Sequence, residues 1–469
     1  MFEQSKSSLK SQPQLKQLTT WFEPTHVYWA LTQNRVASPS FLLESQKNAL
    51  NEPSFSFVLT NAFGILKTKA DSINWDGPDG LESIQGEPLE FLRDKLDRYS
   101  LSKNDMGLPF CGGAVGLLSF ELKNNIESYA RVLEDAYELP DIHLGFFNRG
   151  FVFNHDTQCV YAFDSSAVPA KTEFETWITE SVEVITQNPT PTFNAQQLDI
   201  NTEVNRSVFE NNVIKAKELI RQGEVYQVNL SHVLEFEAPQ NLFGTYLKQR
   251  EVNPSGFASF ADFGDYQLIS GSPERLIRLR GNEVDTRPIA GTRPCSKDSD
   301  EDRRLNEELF VSPKEKAEHI MLVDLERNDI GRVCDYGSVH VSEFMVCEEY
   351  SHVRHIVSNI TGQLSAQKDV LDLIQAVFPG GTITGAPKKA AIEIIDALEA
   401  QTRGPYTGSL GYIGFDGDCD FNIIIRTLLI QKNKAYLQVG AGIVADSKPA
   451  EEYDETIHKA QAFLEVFQK

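Results

Sequence analysis

Cationic side chains are in short supply in this sequence: 44 lysines and arginines stand against 67 aspartates and glutamates, for a net charge of −23. That deficit argues against a protein that wraps nucleic acid or sits on an anionic membrane, because either needs a basic stripe. It also means that an anionic ligand must be held by locally placed cations or by a metal, against the overall field. Long apolar runs are missing too. No stretch of 18 apolar residues occurs, so no membrane-spanning helix is expected. The polar start MFEQSKSSLKSQPQ lacks the apolar core of a secretory signal, and a cytoplasmic protein is expected. The six cysteines, at 111, 159, 295, 334, 347 and 419, never form a C-x-x-C pair. Zinc ribbons and disulfide scaffolds are therefore disfavoured, and reduced, mostly buried thiols are expected.

The common catalytic signatures are absent as well. Neither a G-x-S-x-G elbow nor H-E-x-x-H occurs. FCGGAVG around Cys111 lacks the G-x-C-x-G turn that would expose a sulfur, so it reads as a packed turn. The stretch PGGTITGAPKKAA (379–391) places Gly380 and Gly385 at phosphate-loop spacing, but Ala386 and Pro387 follow and Lys388 comes two places late. The lysine must follow the second glycine directly to curl over phosphates. A tight turn with a proline at a helix start is the better reading.

What is present points to an α+β protein. Residues 1–186 are rich in short strand-like runs such as SFSFVLTN, FCGGAVGLLSFEL and RGFVFNHDTQCVYAF. Residues 187–203, polar with two prolines, read as a linker. In 204–469, an amphipathic helix (VFENNVIKAKELIRQGE) leads into the alternating VYQVNLSHVLEFEA. SPKEKAEHIMLVDLERNDIG opens with a capping box, Ser312 to Glu315, with Pro313 in the first turn and Gly331 as a stop. AEEYDETIHKAQAFLEVFQK is a further amphipathic helix. Strands in hairpins beside long helices favour α+β over a doubly wound sheet.

Six residues carry candidate chemistry. Glu452, Glu455 and Lys459 share one face of the last helix, which is either a solvated ion-pair face or, beside the glycines of VGAGIVADS, a site for a metal and an anion. Glu318 stands before Ile320, Met321, Leu322 and Val323, which read as buried. It is either at the wet edge of its helix or a metal ligand, and a carboxylate from each helix would suit Mg²⁺. His355, facing the same way as Val353 and Val357, reads as a core histidine. Arg426, inside the apolar run NIIIRTLLI, needs a partner, and a planar carboxylate is its best match.

Several motifs in order resemble the chorismate-utilising enzymes: PIAGT (288–292), AEHIMLVDLERNDIGRV (317–333), HIVSNI (355–360), GTITGAPKKAAIEII (381–395), IIIRT (423–427), and GAGIVADS followed by EEYDETIHKA. That family includes the large subunits of anthranilate synthase and aminodeoxychorismate synthase, together with isochorismate and salicylate synthases. The match runs from about residue 205 to the end, and FLLES (41–45) with PFCGGAVGLLSFEL fits the N-terminal region of the two amine-forming subunits. The resemblance implies two packed, mostly antiparallel β-sheets with helices outside. It implies Mg²⁺ held by Glu318 and Glu455 with Glu452 nearby, and Arg426 and Tyr406 clamping the enolpyruvyl carboxylate beside backbone N–H groups at Gly440 and Gly442. Lys459 would neutralise substrate charge, and His355 and Thr382 would line the ring. Gly291 and Thr292 would lie beside the reacting carbons, and Glu274 would protonate the leaving hydroxyl.

The branch is read from single positions. Water-using members carry a lysine base in the strand that reads VYQVNLS here, where Gln227 stands. A neutral amide cannot deprotonate water at neutral pH. Ammonia is left as the nucleophile, supplied by a separate glutaminase subunit because this chain shows no glutaminase machinery. YQVNLS, SPERL, PGGTITGAPK and TGSLGY resemble aminodeoxychorismate synthase component I, which aminates C4. Ala290 stands where many of those enzymes have lysine, so either ammonia adds without a lysine adduct or the product is that of anthranilate synthase component I, which aminates C2. The four motifs outweigh it in this reading. NPSGFA (253–258) replaces the NPSPYM of a tryptophan-feedback pocket, while FLLES keeps Ser45 as a tryptophan contact. The readings from another class are a non-catalytic ligand-binding relative and a nucleotide binder using 380–388.

Overall fold

A computed structural model describes residues 12–33, 39–45, 54–129, 133–190, 196–294, 304, 313–349 and 353–467. Two large sheets dominate. One has 11 strands and is ordered Gln14–Gln17, Cys159–Asp164, Arg149–Asn154, Phe55–Leu59, Ser40–Glu44, Phe257–Asp262, Tyr266–Ser272, Thr427–Gln431, Lys434–Ile443, Gln227–Glu237 and Gly385–Ala386. The other has 12 and contains, among others, Ile289–Pro294, Val353–Gln363, Glu283–Arg287, Arg275–Arg280, Cys419–Asn422, Ser409–Gly414 and Gly113–Leu118. The pairings are antiparallel. The expected α+β architecture of packed antiparallel sheets is the one observed.

The apolar runs follow from burial on both faces. Successive side chains of a strand point to opposite sides. Phe57 and Leu59 pack between the sheets, while Val58 joins the outer layer. Val115 and Leu117 face the same inter-sheet core, and Ala114 and Leu118 face helices on the other side. The outer layers are closed by helices, including Phe174–Gln187 over the first sheet and Pro313–Gly331 with Val370–Val377 over the second. Each such buried Leu, Val or Phe contributes roughly 1.5–3 kcal/mol.

Early and late strands interleave. Ser40–Glu44 pairs with Phe257–Asp262, and Gly113–Leu118 pairs with Ser409–Gly414. The expected helices are present as Arg206–Gln222, Pro313–Gly331 and Pro449–Leu464. Ser312 of the capping box lies outside the described residues. One burial expectation is corrected: Leu322 and Val323 are buried, but Ile320 is 52% exposed. It projects from the outer side of its helix, away from the sheet. Cys111, Cys334 and Cys419 are buried free thiols, and burial pushes the Cys111 thiol up to about 12, far from a nucleophile's range. Cys295 lies outside the described residues. No described helix is long and apolar enough to cross a membrane.

Candidate active site

The site residues gather where the chain passes from one sheet to the other. Tyr266–Ser272 belongs to the first sheet and Arg275–Arg280 to the second, and Glu274 sits in the step between them. Cys419–Asn422 and Thr427–Gln431 make the reverse crossing, and Arg426 stands on that step. The two crossings are stitched together. The Ile423 N–H donates to the Glu274 carbonyl at 3.0 Å, and the Gly271 N–H donates to the Arg426 carbonyl at 3.0 Å. Arg426 is therefore not a buried strand residue, as the apolar run suggested. It is half-buried on a bend with φ of 50°.

Glu274 is 5% exposed. Its carboxyl faces the Ile289 N–H at 3.5 Å and the Thr382 hydroxyl. Burial pushes it up to about 7, and the charge of Glu326 adds to that rise; Thr382, the Ile289 N–H and Arg426 pull the other way. The group thus holds a proton through much of the neutral range, as a general acid must.

His355 is 2% exposed and pairs in register with Thr292, whose side chain lies outside the described part of the structure. Its Nδ1 lies 3.1 Å from the Gly291 carbonyl. A carbonyl only accepts, so Nδ1 carries the proton and Nε2 is the acceptor nitrogen. Burial, then the positive charges of Arg426 and Lys459, hold this imidazole down at about 3. It is neutral at physiological pH, and the influence of both cations places it in their neighbourhood.

The strand Lys434–Ile443 is approached by side chains from two helices. Glu318, on Pro313–Gly331, accepts from the Gln227 side-chain amide at 3.2 Å. Lys459, on Pro449–Leu464, donates to the Gly440 carbonyl at 3.1 Å and pairs with Glu455 at 2.8 Å. Both neighbourhoods depend on missing side chains. A Cβ on Gly442 would lie 2.4 Å from Gln227 Nε2 and 3.8 Å from Glu318 Oε1. A Cβ on Gly440 would lie 2.7 Å from the Tyr406 hydroxyl and 2.6 Å from the Leu230 carbonyl. Two residues of strand span roughly 7 Å, so the groups beside Gly440 and Gly442 are neighbours along one strand. Tyr406 is buried, and burial raises its phenol well above the usual range, so it remains an O–H donor. Glu452 is 8% exposed on the same helix as Glu455.

The Gly-rich loop is not an anion cradle built on its lysine. Lys388 points back to Asp329 and to the Val377 carbonyl, at 2.7 Å from the latter. Pro387 caps the helix Lys388–Leu398. Thr382 meets Glu274 from the preceding turn. Residues that the sequence reading passed over complete the frame. Arg403, 1% exposed, pairs with Glu399 and donates to the carbonyls of Ile383 and Asn229, tying the loop to the Gln227 strand. Glu326, 3% exposed, accepts from Thr286 at 3.1 Å. Its sequence signal was a second acid among Leu322, Val323 and Ile330.

A separate cavity of about 540 Å³ lies between the sheets. Ser45, Gly256 and Ala258 line it together with Arg275, Arg280 and Tyr412.

The model of the chorismate binding enzymes matches residues 38–465. Anthranilate synthase component 1 of Acetivibrio thermocellus is 37% identical over 453 residues, covering 92% of this chain and 91% of the relative. Aminodeoxychorismate synthase component 1 of Bacillus subtilis is 41% identical over 403 residues, covering 82% and 85%. The crystal structure of anthranilate synthase component I from Streptococcus pneumoniae superposes with a TM-score of 0.80 at 33% identity, covering 92% of this chain and 94% of that one. The chain belongs to the chorismate binding enzyme family.

Proposed function

We propose that the chain is the chorismate-aminating component of a two-component synthase, using ammonia from a glutaminase partner. The observation that carries this reading is Gln227. A neutral amide, bonded to Glu318, occupies the position where a water-using relative needs a base. Ammonia needs no such base, because its lone pair is available as it arrives.

In this reading Arg426 and Tyr406 bind the enolpyruvyl carboxylate by a charge-assisted pair and an O–H donor. Lys459 offsets the second negative charge of the substrate. Neutral His355 and Thr382 line the ring, with Gly291 and Thr292 alongside the reacting carbons. Glu274 gives its proton to the departing hydroxyl, which leaves as water while the C–N bond forms. The donor set of Glu318 and Glu455, with Glu452 nearby, is hard oxygen and fits Mg²⁺. Among the described residues no group of three His, Cys, Asp or Glu side chains that could hold a metal ion by themselves is present, so the proposed site would need substrate and water oxygens to complete the shell. When bound, the ion would supply Lewis-acid polarisation at the ring carboxylate.

Two positions of attack are supported by different observations. Amination at C2, giving anthranilate, agrees with the names of most of the relatives reported and with Ala290, which offers no lysine to occupy C2. Amination at C4, giving 4-amino-4-deoxychorismate, agrees with the four motifs YQVNLS, SPERL, PGGTITGAPK and TGSLGY and with the 41%-identical Bacillus subtilis relative. The names give C2 the broader support. The test is product analysis with and without a lyase specific for aminodeoxychorismate. Fluorescent 2-aminobenzoate without lyase establishes C2, and 4-aminobenzoate appearing only with lyase establishes C4.

A further inference from the structure

Two buried carboxyl groups share one frame. The Ile289 N–H donates to Glu274 at 3.5 Å, and the Thr382 side chain lies close to the same carboxyl. Glu326 accepts from the Thr286 hydroxyl at 3.1 Å, and its Oε1 lies against Gly381, 3.3 Å from where a Cβ on that glycine would stand. Thr286 lies three residues before Ile289 on the same run of chain, and Gly381 is the residue immediately before Thr382. From the helix Pro313–Gly331, Glu326 therefore bonds one of the two segments beside Glu274, residues 286–289, and packs against the other, residues 381–382. Neither acid reaches bulk water, being 3% and 5% exposed.

We propose that Glu326 is a positioning residue for Glu274: it fixes the 286–289 and 381–382 segments around that carboxyl, and its negative charge favours the protonated form of the acid. The inference rests on the reading of Glu274 as the proton donor. Two like charges in a buried frame resist ionising together. Glu274 faces Glu326 from the helix side and Arg426 from the sheet crossing, with Thr382 and the Ile289 N–H as its polar neighbours. Glu326 faces Asp329 and Lys388, and Asp329 in turn faces Lys388, Arg332 and Glu127. Burial pushes Glu326 itself up to about 7, with the Asp329 charge adding to the rise.

The test compares kcat/KM against pH for the full chain with chorismate, Mg²⁺ and ammonium, in the wild type, E326Q and E326M. Gln keeps the shape and one acceptor oxygen, which can serve Thr286; Met keeps bulk but no acceptor. Both remove the charge. The expected result is that the basic limb moves about one pH unit lower in both variants, so the ratio of activity at pH 8 to that at pH 5.5 falls about tenfold. A limb that stays put in E326Q, a loss equal at every pH, or a shift in E326M alone would each overturn the inference in favour of mere packing. E274Q is measured alongside. If E274Q is inactive and the E326Q limb is unmoved, the role of Glu326 alone falls. If E274Q turns over like the wild type, the acid assignment falls and the inference goes with it.

Discussion

The side-chain amide of Gln227 donates to the carboxylate of Glu318 at 3.2 Å. That single bond joins the question of nucleophile to the question of metal. A lysine at 227 would set an ammonium against Glu318 and compete with any cation it holds. Gln227→Lys is expected to lower ammonia-dependent turnover by about tenfold or more and to raise the Mg²⁺ concentration needed for half activity. Glu318→Gln is expected to abolish Mg²⁺-dependent turnover while the circular dichroism spectrum is unchanged. Unchanged activity in Glu318→Gln would remove the metal assignment.

Arg426 stands on the sheet crossing with its carbonyl already committed to Gly271, so the bend does not depend on the guanidinium. Arg426→Ala is expected to raise the Michaelis constant for chorismate by roughly two orders of magnitude, through loss of a charge-assisted bidentate pair. Steady-state kinetics decides it, and a mild effect would place the clamp elsewhere.

Glu274 also predicts a stability signature. Its carboxyl titrates near 7 when folded, against a usual value of 4.5. The folded state thus binds the proton more tightly than the unfolded chain. The associated stability is fully present below about pH 4.5 and is lost as pH rises through about 7. The loss is on the order of 3 kcal/mol for the whole interval. Glu274→Gln is expected to melt at a higher temperature than the wild type at pH 8, with the difference shrinking toward pH 4.5. Calorimetry across that range checks the sign; an identical difference at every pH would contradict the protonated, buried carboxyl.

The two strand glycines should respond differently to alanine. At Gly440 the new methyl meets the Leu230 carbonyl, at 2.6 Å, which is backbone and cannot step aside. Gly440→Ala is expected to cost about 1–3 kcal/mol of stability. At Gly442 the nearest atom is the far end of Gln227, at 2.4 Å, which can swing away. Gly442→Ala is expected to fold normally and lose activity, because Gln227 leaves Glu318. Melting temperatures and turnover, measured together, separate the two.

The inter-sheet cavity lined by Ser45 predicts a binding site for tryptophan. Isothermal titration should show heat of binding that Ser45→Leu removes. No heat with the wild type would retire the pocket.

The sequence was legible where local chemistry repeats with a period. The strands FSFVL and GAVGLL and the three long helices follow from alternation and from helical spacing. Lys459, Glu455 and Glu452 were placed on one helix face by the i, i+3 and i+7 rule. What the sequence could not show was which face of a strand meets which sheet. Arg426 reads as embedded in an apolar strand because NIIIRTLLI spans a change of sheet, so both of its flanks are buried for different reasons. Glu326 reads as one more helix acid, because nothing local says that Thr286, 40 residues earlier, covers it. Lys388 was rightly discounted as a phosphate anchor on spacing, yet its true partner, Asp329, is set only by packing of two helices.

The most direct test of the central claim is a product assay of the purified chain with chorismate, Mg²⁺ and ammonium, with ammonium omitted in parallel. The account predicts chorismate consumption that depends on ammonium, with nitrogen appearing in a 2-amino or 4-amino product. Consumption that ignores ammonium and yields a hydroxylated product, or no consumption at all by folded protein, would contradict it.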